Sequence, residues 1–463
     1  MNFTDDEPED DSIDPDDQRD YVLRTVEERG IRFIQLWFTD VLGTAKMLTI
    51  TPAELESALE EGMTFDGSSI DGFSRVSESD VLACPDPQTF QLLPWRSGDA
   101  PTARVVCDIF NIDGTPFEGC PRHVLRRVLE QAKQRGFTFY VAPEIEYFYF
   151  ADKDPSSSPK LLDSGSYFEL TTNDIASELR KQTVLTLEEM GIPVEHAQHE
   201  DAPSQHEIDL RYTDALTMAD TIMTTRLLVK EIAHEHGIHA SFMPKPLAGI
   251  QGSGMHTHLS LFKGPINAFA DQSGPYGLSA TAQQFTAGLL YHAPEITAIT
   301  NQWVNSYKRL VSGYEAPTSV SWARHNRSAL IRVPFVKKGK IESTRIEFRS
   351  PDSACNPYLT FAVILAAGLK GIDLLYELPP EATTVVNSYH TKLADPNQIT
   401  EEEITFLPGS LSEAIEQMAK SKLVAETLGS HVFEWFIRNK SQEWEAYRTH
   451  VSQFEIDRYF PLL

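Results

Sequence analysis

Basic residues are in short supply in this chain: 40 Lys and Arg face 67 Asp and Glu, for a formal net charge of −27. A surface this acidic repels phosphate backbones and anionic lipid, which argues against nucleic acid and membrane as partners. Cysteine is scarce as well. Cys84, Cys107, Cys120 and Cys355 lie far apart with no CxxC pair, so a disulfide framework and a thiolate zinc site are excluded and a reducing compartment is expected. No apolar run reaches the roughly 20 residues of a membrane span, and the longest, Tyr358 to Leu369, reads as a buried core helix. The acidic start is the opposite of a secretory or transit peptide, which makes a cytoplasmic location the expectation. Also missing are GxxxxGK[ST], the kinase HRD and DFG set, and a GxSxG elbow, so any nucleotide must bind on another scaffold.

What is present is a chain of 463 residues with 41% apolar content, enough for two domains with sizeable cores. Ten of the first twenty residues are Asp or Glu, opposed only by Arg19, and about a third of the net charge sits there. Residues 1–20 therefore read as an acidic tail, disordered to about Asp17. The spacing then predicts a short helix over Tyr21–Arg29, a strand over Ile31–Asp40, a returning strand over Val41–Ile50, and a helix over Pro52–Glu61. Residues 21–115 make a small α+β domain with a mixed or antiparallel sheet. From residue 116 to 463 the texture is that of a larger α+β domain, with helices over Arg122–Arg135, Ser177–Met190, Ala215–His236, Thr281–Leu310, Asn356–Leu375 and Leu411–Leu428. Pro379 to Thr405 reads as a long mobile connection.

Between these helices lie charged strands. Glu144 and Glu146 are two apart in an aromatic-rich strand and share a face, where a buried pair of carboxylates needs a cation to remain ionised. Glu200 and Glu207 flank a Pro-containing turn; His256 and His258 share a strand face after Gly252-Ser-Gly254; Glu347 lies in Thr344-Arg-Ile-Glu-Phe-Arg349. Zinc is one reading of HxH, but five Glu with one or two His favour a harder ion, Mg²⁺ or Mn²⁺. Opposite them stand Lys308, Arg309, Arg327, Arg332, Arg345 and Arg349. Some of these arginines are expected to form salt bridges to the same glutamates. Arginine forks beside a metal suit an anionic substrate, most often a polyphosphate.

Taken in order, Phe38-Thr-Asp40, Phe65-Asp-Gly-Ser-Ser-Ile70, Pro143-Glu-Ile-Glu146, His199-Glu200 with Gln205-His-Glu207, Met243-Pro-Lys-Pro246, Gly252-Ser-Gly-Met-His256, Asn305-Ser-Tyr-Lys-Arg-Leu310, Gly313-Tyr-Glu-Ala-Pro317, Asn326-Arg-Ser328 and Arg345-Ile-Glu-Phe-Arg349 make the chain resemble the type I glutamine synthetases from about Ile31 to Phe460. The resemblance implies a small N-terminal β-grasp-like domain and a large catalytic domain with a curved antiparallel sheet backed by helices. It implies ATP-dependent ligation of glutamate and ammonia through γ-glutamyl phosphate, with two or more Mg²⁺ or Mn²⁺ per subunit. On its motifs, Glu146, Glu200 and Glu207 would hold one metal, and Glu144, His256 and Glu347 a second. Gln251, Gly252, Arg309, Arg349 and Tyr167 would border the glutamate and ammonium pockets. Arg327, Arg332 and Arg345 would surround the transferred phosphate, and His258 with Ser260 would contact the nucleotide. Asp40 would take a proton from ammonium across a subunit boundary, and Glu315 would cap the site on a flap between Gly313 and Pro317. The implied assembly is a dodecamer of two stacked hexameric rings.

The sequence departs from the family pattern at a few places. Gln251 stands where Asn is usual, Gln198 where a His, Ser204 where a Gly and His325 where an Arg; Ile399 replaces the Tyr that is adenylylated in some members. Several stretches also resemble an actinobacterial paralogue group with members that ligate glutamate to polyamines or other amines. A γ-glutamylamine ligase and a non-catalytic nucleotide-binding paralogue are the alternatives, and a metal hydrolase the weakest.

Overall fold

The computed structural model describes residues 15–73, 79–96, 98, 100–154, 156, 158–170, 175–382 and 405–463. Most of the acidic tail, Ile399 and most of the 379–405 connection lie outside them. The chain divides into two compact units. The first holds the described residues up to Asp40 together with Ala45–Cys120, and the second holds Val41–Thr44 and Pro121–Leu463.

In the first unit, helix α1 (Pro15–Glu28) begins inside the stretch expected to be disordered. Its first turn is Pro15-Asp16-Asp17, a proline preset for N1 followed by two carboxylates at the positive end of the helix dipole. Of the residues that read as a solvated tail, Asp16 and Asp17 are thus a helix start. Strands β1 (Phe33–Thr39), β2 (Ala45–Ile50), β3 (Met63–Asp66), β4 (Asp80–Pro85), β5 (Gln91–Leu92) and β6 (Thr102–Asn111) form a sheet in the order β2-β1-β6-β4-β3, with β5 beside β6. The sheet is mixed: β1 runs parallel to β6, and the other pairs are antiparallel. Helix α2 (Pro52–Glu61) follows β2 and buries Leu55 and Ala58. The core between helices and sheet contains Val22, Ile34, Leu36, Leu55, Val105 and Phe117.

The second unit is built on a ten-stranded sheet. Its strands are β7 (Thr138–Phe150), β8 (Val194–His199), β9 (Gln205–Leu210), β10 (Thr213–Asp214), β11 (His239–Ser241), β12 (Met255–Lys263), β13 (Ile266–Asn267), β14 (Trp322–Ala323), β15 (Ile331–Arg332) and β16 (Ile346–Phe348). The main path is β14-β15-β16-β12-β7-β9-β8, antiparallel except for β14 with β15. The unit also contains α3 (Pro121–Gln134), α4 (Ser177–Glu189), α5 (Ala215–Glu235), α6 (Ala280–Thr300), the single turn α7 (Ser306–Arg309) and α8 (Pro357–Asp373). Helix α8 is apolar all round and almost wholly buried, as its sequence required. It packs on α6 through glycines: a Cβ on Gly368 would sit 2.1 Å from the Phe285 ring, and one on Gly371 2.1 Å from Gln284 O.

Two helices expected to be continuous are broken. Thr281–Leu310 divides at Asn301, which leaves helical geometry and donates from Nδ2 to Ser350 O (2.8 Å) and Asp352 Oδ2 (3.1 Å). Leu411–Leu428 divides at Ser421, whose hydroxyl caps the second piece by accepting from Val424 N. Helices Ser430–Arg448 and Gln453–Tyr459 follow and were not expected.

Candidate active site

Strand register decides which side chains meet. Antiparallel pairing of β7 with β9 sets Glu146 opposite Glu207 and Glu144 opposite Asp209. Pairing of β12 with β7 sets His256 opposite Glu144, and pairing with β16 sets His258 opposite Glu347. Facing residues in such pairs have Cβ atoms about 5 Å apart, and like charges there destabilise the sheet. Carboxylate therefore stands on carboxylate twice, in a protein interior, which is tolerated only with protons or cations between them.

The electrostatics follow from that stacking. Burial, then repulsion from Glu200, pushes Glu146 up to about 8, against the opposing pull of Arg309 and the Gly254 N–H. Burial likewise lifts Glu200 to about 7, opposed by the Asp201 N–H and Gln198 and reinforced by Glu315. Glu207 is pushed well above the usual range by burial and by Asp209 and Glu146. Neutral donors also hold these acids: Gln205 Nε2 (2.9 Å) and Gly254 N (2.8 Å) donate to Glu146 Oε2, and Gln198 Nε2 donates to Glu207 Oε1 (2.7 Å). The glycines here are required by close approach. A Cβ on Gly252 would lie 2.1 Å from Pro244 O, and one on Gly254 2.5 Å from an Arg309 nitrogen.

The second acid set behaves oppositely. Burial disfavours charge on Glu144, but hydrogen bonds from His256 and His258 prevail and hold it well below its usual range. Arg345 Nε donates to His258 Nδ1 (3.2 Å), which leaves His258 Nε2–H to donate to Glu144 Oε1 (2.7 Å). His256 itself is driven down to about 4 by burial and by Arg349, and is neutral. Glu347 is buried yet kept ionised by Arg349, with Arg332 on its other oxygen. Two of the six cations foreseen opposite the acids are thus salt-bridged to one of them.

These donor sets can be tested against a divalent ion. Potential ligand atoms of Glu144, His256 and Glu347 all lie within 4.8 Å of one another. The Glu146, Glu200 and Glu207 set is not among the groups that meet that distance test, but burial and mutual repulsion raise all three carboxylates, and a divalent cation would relieve that repulsion. Oxygen-rich sets with one imidazole fit hard divalent ions. A neighbouring group, His196, Glu207 and Asp209, meets the same distance test, with His196 Nε2 2.9 Å from Asp209 Oδ2. Neither His196 nor Asp209 was singled out in the sequence.

Beside the acids opens a cavity of about 410 Å³. His258, Ser260 and Arg345 line it, together with Glu144 and Asp209, and Tyr140, Tyr212 and Phe262 form an aromatic wall. Tyr140 stacks edge-on against both Tyr212 (5.7 Å) and Phe262 (5.0 Å). That wall went unnoticed in the sequence because its residues come from two separate strands, β7 and β12, and from the link between β9 and β10.

The remaining foreseen residues are spread around this centre. Arg309 is buried, with its guanidinium donating to Ser350 O (2.8 Å) and Arg349 O (3.2 Å). Gln251 donates to Asp201, the neighbour of Glu200. Arg327 and Tyr167 are exposed; desolvation and then the charges of Glu200 and Glu207 push the Tyr167 phenol up to about 12. Glu315 is exposed with φ of 58°, a left-handed backbone rarely adopted by a side-chain-bearing residue, beside Gly313 at 95°. Ser204, standing where the pattern has Gly, has φ of 65° and binds Leu162 N and Asp163 N through its hydroxyl. Asp40 belongs to the first unit, where it is buried and lies 3.3 Å from Lys46 Nζ.

Comparison with known proteins agrees with this geometry. The family profile described as "Glutamine synthetase, catalytic domain" matches residues 118–459, and "Glutamine synthetase, beta-Grasp domain" matches residues 30–112. A glutamine synthetase of Mycolicibacterium smegmatis is 54% identical, with 96% of this chain and all of that one covered. One from Thermotoga maritima is 47% identical, with 95% and 99% covered. Among solved structures, a GmaS/ADP complex has a TM-score of 0.84 at 30% identity over 95% of this chain and 99% of that one. The cryo-EM structure of Plasmodium falciparum glutamine synthetase has 0.83 at 26%, over 95% and 98%. With both profiles matched in order and relatives alike over their full length, the chain belongs to the glutamine synthetase family.

Proposed function

We propose that this chain is an ATP- and divalent-metal-dependent glutamate–ammonia ligase, which phosphorylates the γ-carboxylate of glutamate and replaces phosphate with ammonia. The observation that carries this reading is the stack of carboxylates on β7, β9 and β16 with the histidines of β12, opening onto a cavity with an aromatic wall. Glu146, Glu200 and Glu207 on one side, and Glu144, His256 and Glu347 on the other, would hold Mg²⁺ or Mn²⁺. Bound there, such ions offset the charge of the nucleotide phosphates and of the attacking carboxylate.

The chain's own side chains supply the rest. Tyr140, Tyr212 and Phe262 offer ring faces and edges to a purine, and His258, Ser260 and Arg345 offer polar contacts beside it. Arg327, Arg332 and Arg345 stand ready for phosphoryl oxygens; Arg332 would leave Glu347 as the ligands arrive. Arg309, Arg349, Gln251 and Gly252 frame the amino-acid end, and Tyr167 the ammonium side. Asp40 of a neighbouring subunit accepts a proton from ammonium. Glu315 excludes water from the acyl phosphate and accepts a proton from the attacking amine. The working assembly is a homo-oligomer, a dodecamer of two stacked hexameric rings with active sites between subunits, in the cytoplasm.

Purified protein given glutamate, ATP and Mg²⁺ should release phosphate when ammonium is added and accumulate glutamine. Phosphate release with putrescine, spermine or ethanolamine but not with ammonium would overturn the assignment of ammonia as the nucleophile.

A further inference from the structure

Lys245 lies between β11 and β12, in Met243-Pro-Lys-Pro246, and is only 9% exposed. Its backbone is clamped on both sides: its N–H donates to Asn305 Oδ1 (2.7 Å), and Asn305 Nδ2 donates back to its carbonyl (3.0 Å). Among the described residues no carboxylate pairs with its ammonium. Burial and the charge of Arg309 both disfavour the protonated form. A buried cation without a counter-ion costs several kcal/mol unless other groups replace its hydration. Two do so here. The ammonium donates to Ile250 O, and it lies 3.9 Å from the centroid of the Tyr314 ring, well inside cation–π range.

Both partners adjoin reaction-site residues. Ile250 precedes Gln251 and Gly252. Tyr314 precedes Glu315, whose left-handed backbone at φ 58° costs on the order of 1 kcal/mol that its surroundings must offset. Asn305, which fixes the Lys245 backbone, leads into the turn that ends at Arg309. One ammonium thus touches the loop of Gln251 and the flap of Glu315 at once.

We infer that Lys245 is a positioning residue that fastens the Gly313–Pro317 flap to the Ile250–Gly252 loop through the π face of Tyr314, so that the acyl phosphate meets the amine and not water. The inference rests on the ligase reading above. In the productive step the C–O bond to phosphate breaks, phosphate leaves with the electron pair, a C–N bond forms, and the amine's protons pass to Asp40 and Glu315. If the flap is loose, water attacks the same carbon, glutamate and phosphate are regenerated, and ATP is consumed without amide.

The test compares the full-length assembled enzyme with K245M, Y314L, Y314F and the double variant K245M/Y314L. The ratio of ADP to glutamine should be near one in the wild type and in Y314F, which keeps the ring. It should rise at least about threefold in K245M and in Y314L, and no further in the double variant, since both changes cut the same contact. Hydrogen exchange of the 313–316 amides without substrates should quicken in K245M and Y314L but not in Y314F. That arm judges the clamp even if the ligase reading fails, which would itself show as a wild type that makes no amide. Unchanged exchange and one-to-one stoichiometry in Y314L, or a Y314F as leaky as Y314L, would overturn the inference. If K245M does not fold, the Y314L and Y314F pair decides alone.

Discussion

Removing divalent cations should make this protein's stability fall as pH rises, the reverse of ordinary acid denaturation. In the fold, Glu146 keeps its proton to about pH 8 and Glu200 to about pH 7, whereas in the unfolded chain both release it near 4.5. Between those limits the native state binds more protons than the unfolded one, so the free energy of unfolding declines with pH. At about 1.4 kcal/mol per pH step, each carboxylate accounts for on the order of 3–5 kcal/mol across its window. A loss of that size lowers the thermal midpoint by roughly 5 °C or more. Below about pH 4.5 the sign reverses, because Glu144 and Glu347 have depressed values and lose their stabilising hydrogen bonds and ion pairs on protonation. Scanning calorimetry in EDTA and in magnesium, at about pH 5.5 and about pH 8, measures this directly. The midpoint in EDTA should drop between the two, and magnesium should remove the drop. Equal midpoints in EDTA at both pH values would refute the claim that these acids are crowded enough to need a cation.

Other consequences concern single groups. Glu315→Ala should reduce amide formation by roughly 10²-fold while leaving ADP affinity, measured by calorimetric titration, nearly intact; full activity would remove the flap glutamate from the mechanism. Asp40→Asn should raise the KM for ammonium and leave those for glutamate and ATP near wild type, as steady-state kinetics will show. Arg122 donates to both oxygens of Asp220 in a fully packed interior, where Tyr358 donates to the same carboxylate (2.7 Å). Arg122→Met strands that carboxylate and should destabilise the protein by about 3–5 kcal/mol, read as a shift in the denaturant midpoint. Gly368→Ala drives a methyl into Phe285 and should cost about 1–3 kcal/mol by the same assay.

The chemistry of the second unit was legible in its sequence because strand periodicity forces it. Two glutamates two apart, and two histidines two apart, must share a face, so Glu144, Glu146, His256 and His258 could be placed before any pairing was known. Which of them would meet could not. That depends on the register of β7 with β9 and β12, and register is fixed by burial over the whole sheet. Asp209, two after Glu207, shares its face by the same rule, whereas His196 and the wall of Tyr140, Tyr212 and Phe262 left no local signal. Lys245 was visible only as part of a motif, since a lysine held by a carbonyl and a ring cannot be told from a solvated one in sequence.

Helix boundaries failed for similar reasons. Asn301 and Ser421 break periodic segments because their side chains bond elsewhere, to Ser350 and Asp352 and to the Val424 N–H. The acidic run at Asp16 and Asp17 was misread because charge density hides the fact that an N-terminal turn favours carboxylates.

The most direct test of the central claim follows oxygen. Glutamate labelled with ¹⁸O in its γ-carboxylate, incubated with ATP, Mg²⁺ and ammonium, should pass one labelled oxygen to each phosphate released as glutamine appears in equal amount. Phosphate free of label, or labelled phosphate formed only with another amine, would contradict an ammonia ligase acting through γ-glutamyl phosphate.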